Sequence, residues 1–169
     1  MTIHSGHPFA ETFSEPERRF RGRLAARVSL WTSGEGSDRA GLTVSSQLVA
    51  MGDPWRVVAV LNPDSELAES LQSTRRAAIS LLQPDQRALS DAFAGGPAPG
   101  GPFRLADWEQ TEWGPVPLGQ PAWAGVRLES AVELGWQLLV TCTLDHLVIN
   151  DEDDPLVNHR GRLRSLGNG

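Results

Sequence analysis

The sequence predicts a mainly β protein, a barrel of antiparallel strands with a few short helices. Three observations carry this reading. Apolar and polar residues alternate with a period of two over 27–32 and again from 126 to 144, the mark of strands with one buried face. Trp55–Leu61 is a nearly continuous apolar run of strand length, suited to burial on both faces. The helical signals between these stretches are short and do not alternate strictly with the strands, as a parallel α/β sheet would require. At 169 residues the chain fits one domain, placed at 14–165, with a flexible N-terminus at 1–13 and a tail at 166–169.

The elements follow in order. Ser14 to Glu17 has the spacing of a capping box, with Pro16 in the first turn, and predicts a helix of about ten residues that carries Arg18, Arg19, Arg21 and Arg23. Charges at these spacings read as a solvated helix face, and no role is assigned to them. A strand follows, with Val28, Leu30 and Thr32 on one face against Arg27, Ser29 and Trp31 on the other. The segment Ser33 to Asp38 is a turn. After Trp55–Leu61, Asn62-Pro63-Asp64-Ser65 supplies capping residues and a helix-starting proline, and Leu67, Ala68 and Leu71 form one apolar stripe. Ala77–Leu82 is strand-like. Gln83-Pro84-Asp85 opens a short helix with Leu89 and Phe93 four residues apart. Ala94 to Gly101 is a Gly/Pro-rich mobile surface loop. Two long strands then meet at Leu134-Gly135, the first with Val126, Leu128 and Val132 on one face, the second with Trp136, Leu138, Val140, Cys142 and Leu144. These add up to about six strands and three short helices.

Composition excludes several functions. A net charge of −6 argues against a nucleic-acid binder. All fifteen basic residues are Arg, and the chain has neither Lys nor Tyr. Schiff-base chemistry, a phosphate-loop lysine and a tyrosine nucleophile are therefore ruled out. Cys142 is alone, so no intrachain disulfide or cysteine-based zinc site can form, and a reducing compartment fits. Met1 to Glu11 does not read as a signal peptide, and no apolar run approaches membrane-spanning length, so a cytoplasmic protein away from membranes is expected.

Three tempting motifs fail. Gly34-x-Gly36 follows a strand, but Arg39 stands where a dinucleotide fingerprint needs its third glycine, and the β-rich Leu42 to Ser45 follows where a helix should begin. Asp151 to Asp154 lacks the ligand spacing of a calcium loop and reads as a solvated turn. His4 and His7 sit in an unanchored terminus. No metal site is predicted.

Gly41-Leu42-Thr43-Val44-Ser45-Ser46, then Trp55 to Asn62, the helix from Ser65, Ala78 to Leu82, Gln86 to Leu89 and Phe93-Ala94-Gly95 stand in an order that resembles the flavin reductase-like family. Gly119 to Val126 and His159-Arg160-Gly161-Arg162 are similar to that family's later loop and closing His-x-Gly-Arg segment. The resemblance covers roughly 19–163. It implies an FMN-binding split barrel of antiparallel Greek-key type, a homodimer whose flavin cleft the partner helps to form, and an NAD(P)H-dependent flavin reductase, with a separate monooxygenase as a candidate partner.

By position, the resemblance places Thr43, Val44, Ser45 and Ser46 along the isoalloxazine and ribityl chain. It places Leu61, Asn62, Ser65, Glu66 and Leu67 at the phosphate end, Phe93 closing the cleft, and His159 with Arg162 at the nicotinamide or flavin edge. No protein residue has to act as acid or base, and His159 positions the donor. FMN is the expected cofactor, with FAD or riboflavin as alternative substrates and NADH or NADPH as donor. A non-catalytic flavin store or sensor and a deazaflavin-dependent relative stay open as other readings. Departures from the family pattern bear on the phosphate end. Asp64 and Glu66 flank Ser65 there, so FMN should bind little better than riboflavin unless an arginine intervenes, with Arg75, Arg76 and Arg104 as candidates.

Overall fold

The computed structural model describes residues 15–151 and 153–167. Helix α1 (Pro16–Arg23) precedes β1 (Ala26–Arg27), β2 (Ser29–Ser33), β3 (Ala40–Val44), β4 (Gln47–Ala50) and β5 (Arg56–Leu61). Next come α2 (Glu66–Thr74), β6 (Arg76–Leu81), α3 (Arg87–Phe93), β7 (Trp108–Gln110) and β8 (Pro115–Pro117). The long pair β9 (Ala122–Leu134) and β10 (Gln137–Ile149) and the closing pair β11 (Leu156–His159) and β12 (Arg162–Ser165) complete the chain. Twelve strands thus occur among the described residues where about six are expected; the surplus pieces are too short for a period of two to register. Ser14 of the capping box, the expected flexible terminus with His4 and His7, Glu152 and the last two residues lie outside the described residues.

Seven strands form one antiparallel sheet in the order β3-β2-β6-β9-β10-β5-β4. The edge strands β3 and β4 are separated in the chain by Ser45 and Ser46 alone. A two-residue link cannot cross a flat sheet of that width, so the sheet curls until its edges meet at one corner. Gln47 fastens that corner: its Oε1 accepts the Trp31 indole N–H at 2.9 Å and the Ser29 hydroxyl at 2.8 Å, tying β2 to β4. Trp31, Leu61, Val140 and their neighbours fill the interior, and α2 plugs it with Leu67, Ala68 and Leu71 as it carries the chain from β5 past β9 and β10 to β6. Among the described residues no helix is long and apolar enough to cross a membrane.

Three expectations about faces are corrected. All of β2 is buried, because Trp31 points into the barrel while Val28 and Leu30 pack outside it on Leu82, Leu89, Phe93 and Leu156. In β5 only Val57, Ala59 and Leu61 are buried; Val58 and Val60 stay partly exposed, so the run is one-sided. In β9 the register passes from Leu128↔Cys142 to Ser130↔Thr141, leaving Glu129 as an inserted residue. One inserted residue reverses every later side chain. Ala131 therefore packs on the core, and Val132 turns outward with 52% of its surface exposed. The hairpin turn is where the sequence places it, with Gly135 at φ +60° as a tight β-hairpin requires; Trp136 belongs to that turn and is exposed, not part of the inner face.

Cys142 lies on the inner face of β10, and burial pushes its thiol up to about 12. Because the chain has no Lys and no Tyr, this thiol and the amino terminus are the only groups whose ordinary pKa lies between about 7.5 and 11. The unfolded thiol ionises near 9.0 and the folded one does not, so above that value the unfolded state sheds a proton that the folded state keeps. Stability is complete below pH 9.0 and declines by about 1.4 kcal/mol per pH unit as pH rises toward about 12. Urea denaturation should show a loss of about 2 kcal/mol between about pH 9 and pH 10.5, nearly absent in Cys142→Ala. An equal loss in the variant would refute this account.

Candidate functional site

The corner where the sheet closes also ends β5, so the register brings two predicted segments together. Val60 N–H donates to the Ser46 carbonyl at 3.0 Å, and the Ser46 hydroxyl donates to the Val60 carbonyl at 2.6 Å. Leu61 at the end of β5, and Asn62 after it, therefore sit beside Ser45 and Val44. Of the three hydroxyls expected to serve a ligand, two are committed: Ser46 as above, and Thr43, which donates to the Ser90 carbonyl at 2.7 Å and holds α3. The Ser45 hydroxyl, and the backbone N–H groups of Ser45 and Ser46, have no hydrogen-bond partner among the described residues. These free donors are the part of the corner able to meet a ligand.

They open on a cleft of about 810 Å³. One wall is α1, with Arg18, Arg19, Arg21 and Arg23; the other is the β11–β12 hairpin, with Asn158, Arg160 and Gly161. The walls meet where Arg160 N–H donates to the Gly22 carbonyl at 2.6 Å. A Cβ on Gly22 would lie 3.6 Å from the Arg160 Cα, ordinary van der Waals contact, so the approach would accommodate an alanine as well. The turn takes Arg160 through φ +55° and Gly161 through φ +74°, a tight reversal that aims the Arg160 side of the hairpin at α1. His159, half-buried, pairs in register with exposed Arg162 at the base of this turn.

The remaining predicted residues lie elsewhere. Val44, Leu61 and Leu67 are buried in the barrel core and back the corner from inside. Phe93 is buried in the outer core, its ring edge-on to Phe103 at 4.9 Å, so it walls off that core rather than lining the cleft. Asn62 and Ser65 form a turn: Asn62 Oδ1 accepts Asp64 N–H, and the Ser65 hydroxyl donates to the Asn62 carbonyl at 2.8 Å and accepts Ala68 N–H at 3.1 Å. Ser65 is thus the N-cap of α2, and Pro63 stands in the preceding turn, not at the helix start. Asp64 and Glu66 are exposed beside it. Arg75 and Arg76 follow the far end of α2, about 15 Å along the helix axis; Arg75 donates to the Leu128 carbonyl and Arg76 pairs with Glu112. Arg104 sits in a short 3-10 turn, Pro102–Leu105, against Gly100. The structure assigns none of these three to the Ser65 corner, and the α1 arginines, read as a solvated face, line the cleft instead. No local signal in the sequence marks them, since α1 runs unbroken through Gly22 to Arg23.

Two other groupings stand apart. Trp113 stacks on His146 at 4.9 Å, with Trp123 against the same imidazole, and a cavity of about 300 Å³ lies under Leu105 and Leu118. Two of the four carboxylates expected to form a solvated turn have partners: Asp153 pairs with Arg27 at 2.9 Å, and Asp154 accepts from Ser165 and Gly167. Among the described residues no cluster suits a metal.

Residues 21–167 match the model of the family described as flavin reductase like domain, a match that begins inside α1. A NADPH-flavin oxidoreductase of Streptomyces viridifaciens is 30% identical, covering 96% of this chain and 86% of its own. An FMN reductase (NADH) RutF of Ancylobacter novellus is 26% identical over 76% of this chain and 71% of its own. In fold the chain is similar to BorF, the flavin reductase component of a bacterial two-component tryptophan halogenase, with a TM-score of 0.78 at 24% identity, covering 89% of this chain and 96% of that one.

The capping geometry makes one local prediction. Ser65→Ala should lower stability by about 1 kcal/mol in chemical denaturation, and Ser65→Asn should restore most of it. A loss shared equally by both variants would show that Ser65 does something other than cap α2.

Proposed function

The chain belongs to the flavin reductase-like family, and on that premise we propose that it is an NAD(P)H:flavin oxidoreductase with FMN as its flavin. The observation that carries the reading is the meeting of Ser45 and Ser46 with the Arg160–Gly161 turn across one cleft, although the two segments lie far apart in the chain. The donor set fits the group: free backbone N–H donors and one hydroxyl suit the polar edge of an isoalloxazine, and guanidinium groups suit phosphate. Bound flavin supplies the redox centre that exchanges hydride with a nicotinamide.

The chain's own residues bind and orient. Ser45 and Ser46 hold the flavin edge through backbone N–H groups whose direction the barrel corner fixes. Val44, Leu61 and Leu67 make that corner rigid from within, and Thr43, Asn62 and Ser65 brace it through their hydrogen bonds. His159 and Arg162, at the base of the hairpin, meet the nicotinamide and set its distance from the flavin. None of them transfers a proton. Purified protein given flavin and NADH or NADPH should consume the nicotinamide only when flavin is present. His159→Ala should raise the Michaelis constant for the nicotinamide and leave kcat near that of the unmodified protein. Absence of turnover with every flavin and donor would leave a flavin-binding protein without this activity, and a collapse of kcat alone would give His159 a chemical role.

The reading extends to assembly and place. Leu48 and Val49 on edge strand β4, Met51 just after it and Trp136 at the hairpin turn are exposed, and Met51 keeps 82% of its surface accessible. An apolar sheet edge of this kind needs a cover, and a second copy of the chain provides one. Sedimentation at micromolar concentration should give a species of twice the 18.3 kDa chain mass; a single species of that chain mass counts against the dimer. The similarity to the reductase component of a two-component halogenase supports release of reduced flavin to a separate monooxygenase-type partner. The lone buried thiol suits a cytoplasmic setting.

A further inference from the structure

We infer that Ser29, a residue of β2 that lies behind the cleft and not in it, is the positioning residue that aims the Ser45 N–H at the flavin; this rests on the flavin reductase reading and names what sets its free donor. Ser29 is fully buried and pairs in register with Val44, the last residue of β3. Its hydroxyl lies 2.9 Å from the Val44 carbonyl and 2.8 Å from Gln47 Oε1. One buried oxygen thus touches both flanks of the Ser45–Ser46 link. The hydroxyl has a single proton to share between the two acceptors, and Gln47 Oε1 keeps the Trp31 indole N–H whenever that proton turns to Val44.

The Val44 carbonyl and the Ser45 N–H belong to one peptide unit. That peptide is trans, so its C=O and N–H point opposite ways across a stiff plane. A hold on the carbonyl from the buried side therefore turns the Ser45 N–H to the other side, where Ser45 lines the cleft. At the far end of the link the Ser46 carbonyl accepts Val60 N–H at 3.0 Å, which fixes the plane of the peptide after Ser46. The peptide between Ser45 and Ser46 is left between two pinned neighbours. Donors set in this way need no rearrangement when a ligand arrives, and that is the condition under which a backbone N–H contributes its full strength. Ser29 acts through Val44 and Ser45 and does not itself meet the ligand.

The other end of β2 supplies the control. Ser33 is equally buried, and its hydroxyl donates to the Arg76 carbonyl at 2.7 Å, four residues along the strand and so about 13 Å from Ser29. Flavin fluorescence gives dissociation constants for riboflavin and FMN with the unmodified protein, Ser29→Ala, Ser29→Cys and Ser33→Ala. Each alanine variant loses one buried hydroxyl, so their urea midpoints should fall alike. Ser29→Ala is expected to weaken riboflavin and FMN by the same factor, about fivefold, the scale of one hydrogen bond, because the ring edge is common to both. Ser29→Cys, similar in size and a weaker donor, should fall between, and it carries the comparison if Ser29→Ala does not fold. Ser33→Ala should leave both constants within about twofold despite its lower midpoint. Unchanged constants in both Ser29 variants overturn the role, and so does an equal weakening in Ser33→Ala, which would make the effect one of general stability. FMN weakening while riboflavin holds overturns it too, since the donor would then serve the phosphate and not the ring. Failure of the unmodified protein to oxidise a nicotinamide would sink the enzymatic reading alone, because the binding contrast needs no turnover; failure to bind any flavin would sink that reading and the role of Ser29 together.

Discussion

The link of two residues between β3 and β4 is the constraint on which the rest of the molecule depends. These strands are the outermost of seven, and joining them by Ser45 and Ser46 leaves the sheet no choice but to curl. Curling puts the Trp31 indole inside, where an unpaired N–H would be costly, and the Gln47 side chain meets it from the opposite edge. The same curl leaves the N–H groups of the linking residues without partners, while the Ser46 carbonyl and hydroxyl stay bonded to Val60. Free backbone N–H groups at the corner are thus a geometric by-product of closure, and the candidate site is built on them.

Insertions adjust what the curl leaves rigid. The extra residue at Glu129 reverses the outer half of β9, and Glu129 itself turns to a bidentate pairing with Arg56 on β5, reaching across β10. A second irregularity between Leu144 and His146 lies where Asp145 meets Arg127 and the Trp113 indole. Both breaks sit in the two longest strands, which otherwise would run straight past the barrel. Each supplies extra twist where the sheet bends, and each is marked on the outside by a carboxylate with an arginine partner.

Much of this was legible in the sequence, for identifiable reasons. β2, β5, β6 and the β9–β10 hairpin were found because alternation or an apolar run of strand length is a local property, and the turn because Gly135 takes a conformation that suits glycine. The cap of α2 was found because Ser65 is a local signal too, whereas Gln83 and Pro84 open a single 3-10 turn ahead of α3, whose own N-cap, Gln86, makes no side-chain hydrogen bond. The bulge at Glu129 was not, since nothing in Leu128-Glu129-Ser130 distinguishes an inserted residue from an ordinary outward one; only the partner strand decides. Pieces as short as β1 and β7 have no period to read. At the site, Ser45 and Ser46 were placed by the resemblance and meet the 160–161 turn in space. The α1 arginines were set aside because exposure on a helix is local, whereas facing a hairpin more than a hundred residues later is tertiary.

The walls of the cleft come from opposite reaches of the chain, α1 at residues 16–23 and the hairpin at 156–165, joined by the contact of Gly22 with Arg160. During synthesis the first wall emerges early and waits while the whole barrel is made. Strands β2 to β10 can close and bury their core before the second wall exists, since the seven-stranded sheet uses neither β11 nor β12. The cleft is therefore completed only after all the strands of the barrel have been made. A message broken late would yield a product with a closed barrel and half a cleft, and with Val28, Leu30 and Leu82 stripped of Leu156, an exposed patch by which quality control, which senses exposed core, could tell it from the complete protein.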